Sequence, residues 1–99
     1  MKLVYTEQAL DSLQEILDFI GPHVSHEKML ATRDQILDAA DTLLLNPFKG
    51  QKEPFLEHLK LSHRRLVESH FKIIYRIEGE YIFITDIFDS RQDSDKMKV

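Results

Sequence analysis

One change of hydrophobic period limits the folds open to this chain. Apolar residues recur every three or four positions up to Asn46-Pro47, and every second position from residue 63 onward. The first spacing lines one side of a helix and the second lines one face of a sheet. In TEQALDSLQEILDFIG, the residues Ala9, Leu10, Leu13, Ile16, Leu17 and Ile20 form a helical stripe that Thr6 can cap and Gly21-Pro22 stops. Ser25 can cap a second helix, whose stripe is Met29, Leu30, Arg33, Ile36, Leu37, Ala40, Leu43 and Leu44. Asn46-Pro47 ends it, because the residue before a proline is pushed out of helical geometry. The short connection makes the two an antiparallel hairpin.

After an irregular segment at 47–58, PFKGQKEPFLEH, the residues Phe71, Ile73, Tyr75 and Ile77 alternate with Lys72, Ile74, Arg76 and Glu78. That is a strand with one apolar and one mixed face. Residues 63–67 supply a strand before it, with a turn near Ser69-His70. After the Glu78-Gly79-Glu80 turn, YIFITDIF reads as the buried centre of a sheet. Leu3 to Tyr5 is a short first strand. The predicted fold is α+β: a short N-terminal strand, a helical hairpin, then a three-stranded antiparallel meander, with the helices on one face of a small sheet. The sheet has four strands if the first one joins it, and its other face is left to solvent or a ligand.

At 99 residues, 42% hydrophobic and 30% charged, the chain is the size of a single compact domain, 1–99, with 90–99 a loose tail apart from Arg91. It contains no cysteine, which excludes disulfides and thiolate metal sites. MKLVYTEQAL lacks the apolar stretch of a signal peptide, and no run approaches the roughly 20 residues of a membrane span. A soluble, cytoplasmic protein without a membrane partner is expected.

Charge is unevenly placed. The formal net charge is -4, yet SHRRLVESHFKIIYR at 62–76 holds Arg64, Arg65, Lys72 and Arg76 against the single acid Glu68. With the more distant Arg91 these make a candidate basic patch. Lys72 and Arg76 point to one side about 13 Å apart, so a phosphate backbone could lie along them. Arg64 and Arg65 point to opposite faces, so at most one joins. Edge-strand protection by charge explains the same residues without any ligand. A cationic site on RNA can also promote attack of a 2'-hydroxyl on the adjacent phosphate, but it needs a general base and acid. The nearby candidates are Lys72, Tyr75, His63 and His70, and the parity of Tyr75 turns it toward the core. His23-Val-Ser-His26 has ligand-like spacing but no third ligand, so no metal and no cofactor are expected. Glu7, Asp11, Glu15 and Asp18 read as the solvent face of the first helix.

The order of elements, together with GQKEPFLEHLKLSHRRLVESHFKIIYRIEGEYIFITDIFDSRQDSDKM, resembles the RelE/ParE superfamily of toxins from bacterial type II toxin-antitoxin systems. The matching pieces are Pro47 to Gly50, Arg64-Arg65-Leu66, Phe71 to Ile77, and Ile82 to Arg91. The resemblance implies a cognate antitoxin as partner and operator DNA bound only through the antitoxin complex. RelE-like members cut mRNA on the ribosome with a basic cluster and a C-terminal Tyr, whereas ParE-like members poison DNA gyrase. By the resemblance, Arg65, Lys72 and Arg91 fall at catalytic positions if the chain is a metal-independent ribonuclease. Otherwise Arg64, Arg65, Lys72, Arg76 and Arg91 contact the target or the antitoxin. Val67 stands where the ribonuclease branch carries a further basic residue, and no Tyr follows Arg91. Loss of acid-base catalysis alone costs roughly 10² to 10⁴ in rate. The ParE-like, gyrase-binding branch is therefore favoured. The alternatives are the ribosome-dependent endoribonuclease and a non-toxic domain that acts only in autoregulation with its partner.

Overall fold

Thr6 leaves the first strand in extended conformation, and its Oγ1 accepts from the Ala9 N–H at 3.1 Å, which starts helix α1 (Glu7–Ile20). The same hydroxyl donates to the Thr85 carbonyl at 3.3 Å, so the cap also ties the helix to the sheet. Ser25 repeats the device for α2 (His26–Asp41), accepting from Lys28 N–H at 3.1 Å. A 3-10 turn follows each helix, at Gly21–His23 and Thr42–Leu44. The computed structural model describes residues 1–92 and 94–97. Of the tail expected over 90–99, residues 93, 98 and 99 lie outside the described residues, and Ser94–Lys96 forms a short 3-10 turn.

The strands are β1 (Lys2–Tyr5), β2 (Gln51–Lys52), β3 (Arg64–Glu68), β4 (Phe71–Glu78) and β5 (Tyr81–Asp89). They form one sheet in the order β1-β5-β4-β3-β2. The α+β class and the β3-β4-β5 meander are as expected. The sheet has five strands, because Gln51–Lys52 pairs with Arg64 and Arg65 inside the segment read as irregular. Both residues of β2 are exposed, so no apolar alternation marked it. β1 pairs parallel with β5, which makes the sheet mixed. Gly79 takes the positive φ of 58° that the β4–β5 turn needs, with nothing within 4 Å of where a Cβ would stand.

Between the helices and the sheet lies the core: Ala9, Leu13, Ile16 and Leu17 from α1, Ile36 and Ala40 from α2, and Ile73, Tyr75, Ile82, Ile84 and Ile87 from the strands. Two polar residues enter it where the helical stripes had placed Leu10 and Arg33. Ser12 is buried because its Oγ donates to the buried Asp86 carboxylate, and Thr32 because its Oγ1 returns to the Lys28 carbonyl at 3.0 Å. Leu10 and Leu44 are exposed instead, and Arg33 pairs with Asp34 at the surface.

A register shift between Ile74 and Tyr75 leaves Thr85 as the extra residue of a bulge. β1 pairs only with Tyr81 to Ile84, so β5 has no strand partner on that side beyond the bulge, among the described residues. There α1 packs alongside. The face away from the helices is not simply open to solvent, as expected from the pattern. Ile74 on that face is fully buried, and the Glu53 carboxylate reaches over it to Lys72 on the same strand and Arg65 opposite Ile74.

Candidate functional site

Each cation expected in the basic patch has an internal partner, and only two of the five meet. Arg65 is opposite Ile74 and Lys72 is two residues before it, so both project from the face away from the helices. They converge on Glu53. Its Oε2 lies 3.3 Å from Arg65 Nη1 and 3.7 Å from Lys72 Nζ, and its side chain is wholly buried. Arg65 also donates to the Lys52 carbonyl at 3.2 Å and to Gln51 Oε1 at 3.4 Å, while Glu53 Oε1 accepts from Phe55 N–H at 3.3 Å. A buried carboxylate is tolerated only when so paired. Glu53 was missed from the sequence. Its signal was slight: an acid before Pro54, where it caps the 3-10 turn Pro54–Leu59.

The other three cations stand apart. Arg64 emerges on the helix side, donates to the Gly50 carbonyl at 2.8 Å and lies over the Phe48 ring at 5.0 Å, so it serves the loop before β2. Arg76 bonds Glu78 and stacks on Phe83 at 4.9 Å. Arg91 grips Asp89 with Nε and Nη2 at 3.0 and 2.7 Å. That hydrogen bond holds the Asp89 carboxyl below the usual carboxylate range, against the opposing effect of its burial, and raises the guanidinium. Val67 is opposite Lys72 and 60% exposed, leaving an apolar gap beside the pair.

The groups expected to move a proton are poorly placed for it. Tyr75 is fully buried, donates to the Pro47 carbonyl at 2.8 Å and accepts from Gly50 N–H at 2.9 Å. Burial raises its phenol above the ordinary value of 10.0, against the opposing Gly50 hydrogen bond and the Arg64 charge. His63 is 4% exposed, and burial, then the Arg76 charge, lowers it below 6.5, so it is neutral at pH 7. His70 stacks on Phe71 at 4.1 Å. Glu53 itself has the chemistry of a base, but no atom of its side chain is exposed. Among the described residues, no cluster of His, Cys, Asp or Glu is arranged to hold a metal ion.

A second feature lies along the edge of the sheet, where β5 runs on past β1. α1 and the half of β5 beyond β1 enclose a groove of about 790 Å³, lined by apolar Ile16, Phe19, Ile20, Phe88 and Met97 and by charged Glu15, Asp89, Arg91, Asp95 and Lys96. Ser90 N–H bonds the His70 carbonyl at 2.7 Å, so by alternation Ile87 turns its backbone N–H and C=O away from β4 and toward this groove. Phe19 is 71% exposed there.

A helical hairpin on one face of a small mixed sheet, with cations gathered on the other, defines the class: the toxin fold of the RelE/ParE superfamily. Residues 3–94 match the sequence model of the ParE toxin of type II toxin-antitoxin systems, parDE, and the chain belongs to that family. A solved structure of the chromosomal ParDE toxin-antitoxin system from P. aeruginosa has the same fold. It aligns with a TM-score of 0.74 at 23% identity, over 90% of this chain and 95% of that one. No curated protein matches.

Proposed function

We propose that the chain is a growth-inhibiting toxin that binds DNA gyrase and is held inactive by a cognate antitoxin. The observation that carries this reading over ribonuclease activity is the Glu53 carboxylate. It occupies the space between Arg65 and Lys72, where a cleavage site would need cations free for the scissile phosphate. Tyr75 and His63, two of the candidate proton donors, are both buried. The ribonuclease reading keeps one point in its favour, since a carboxylate between two cations could act as the base if the turn at 54–59 moved.

Antitoxin binding fits the groove beside β5 better than the basic face. Arg65, Lys72 and Arg76 on that face are internally paired, whereas the groove offers apolar side chains and the Ile87 backbone groups turned away from β4 to an incoming segment. On this reading Phe19→Asp weakens the toxin-antitoxin complex about 10- to 100-fold, the worth of a buried Phe. Lys72→Glu with Arg76→Glu changes it less than about threefold, and a larger loss would return the antitoxin to the basic face. Operator DNA is bound through the complex.

Induction of the chain alone, with growth and mRNA ends followed together, tests the functional reading. Growth arrest with intact messages is expected. Codon-registered cuts would make it the ribonuclease, and normal growth would leave only the autoregulatory role.

A further inference from the structure

We propose that Glu53 is an internal counter-anion that keeps the basic face of the sheet from binding phosphodiester backbones, so that Arg65 and Lys72 form a masked phosphate site. The pair has the makings of such a site: a guanidinium fork and an ammonium on adjacent strands, 23% and 20% exposed, bordered by exposed Val67. Both reach the same atom, Glu53 Oε2. The carboxylate is therefore a shared ligand standing where a phosphate oxygen would go.

Its advantage over an incoming phosphate is the covalent tether. Glu53 follows β2 directly, and its N–H donates to the His63 carbonyl at 2.9 Å just before β3 begins. Its Oε1 is held by Phe55 N–H. A ligand fixed at both ends of its residue acts at a high effective concentration, in the millimolar range or above for short tethers. A single phosphate contact competes poorly against that. The site carries two positive charges and one negative, so the carboxylate also halves the local charge available to a polyanion. The inference does not depend on gyrase being the target.

The test uses a fluorescently labelled 12-nucleotide single-stranded RNA and anisotropy at low and moderate salt. The folded protein is compared with Glu53→Gln, which keeps the shape and the acceptor for Phe55 N–H. The variant is expected to bind at least 10-fold more tightly. Its salt slope should steepen by about 1.4 if two phosphates are newly contacted. Glu57→Gln makes the same change in net charge at an exposed position of the turn that Glu53 caps, and should leave binding unaltered. Adding Arg65→Gln and Lys72→Gln to Glu53→Gln should abolish the gain. A folded Glu53→Gln with unchanged affinity overturns the proposal, as does a gain that Glu57→Gln reproduces or that survives loss of both cations. Lys72→Gln in the otherwise unaltered protein gives a test that does not require Glu53→Gln to fold. Affinity within twofold is expected, and a 10-fold loss would mean that Lys72 already binds phosphate.

Discussion

Tyr75 joins segments 28 positions apart by donating to the Pro47 carbonyl, and it accepts from Gly50 as well. Tyr75→Phe leaves the half-buried Pro47 carbonyl and the buried Gly50 N–H without that partner, and should cost about 1–3 kcal/mol in urea unfolding. Gly50→Ala should cost more. Its Cβ would lie 2.5 Å from the Arg65 carbonyl and 2.7 Å from the Tyr75 hydroxyl, and backbone cannot retreat as a side-chain tip can. His63 carries a pH prediction. Its value is lowered in the folded protein, so as pH falls the unfolded chain takes up that proton first. The stability it confers is complete above the ordinary 6.5 and declines as pH falls toward the folded value. Unfolding titrations from pH 7.5 to 5.5 should therefore show a loss of stability that His63→Asn flattens; parallel curves for the two proteins would contradict it. From the sequence, parity placed Lys72 with Arg76 and let at most one of Arg64 and Arg65 join them; only the β3–β4 register shows that it is Arg65. Glu53 was not legible, because it approaches from an irregular turn, and contacts made across a chain reversal leave no period to read.

At the scale of elements, the periodic stretches were the legible ones. α1, α2 and β4 each carry a stripe or an alternation, and β5 a nearly unbroken apolar run, long enough to fix their type; Gly21-Pro22 and Gly79 marked ends, whereas α2 already gives way at Thr42 to a 3-10 turn, ahead of Asn46-Pro47. β2 is two residues long and exposed on both, so only pairing with β3 defines it. The polar entries into the core escaped notice for a related reason. Ser12 is inside only because the β5 bulge places Asp86 within reach of its hydroxyl, a fact about the far end of the chain. Ser12→Ala removes a donor to a buried carboxylate and should destabilise by about 1–3 kcal/mol. Thr6→Ala, which loses the α1 cap and the link to Thr85, should cost about 1 kcal/mol or somewhat more. Both are read by chemical denaturation, and a change below a few tenths of a kcal/mol in either would mean that the helix-sheet junction is held by apolar packing alone.

Over the whole molecule, the two faces of the sheet have different work. One is filled by the helical hairpin. The other gathers cations that the structure has already matched with Glu53 and Glu78, while Asp89 holds Arg91 at the edge. The uneven charge seen in the sequence is thus largely satisfied within the chain, which moves the expected partner contact from the basic face to the groove between α1 and β5. The central claim is that this member of the ParE toxin family acts on gyrase and not on messenger RNA. Supercoiling of relaxed plasmid by purified gyrase, titrated with the purified chain, tests it most directly. The account predicts dose-dependent loss of supercoiling; undiminished supercoiling by a folded preparation that still arrests growth on induction would contradict it.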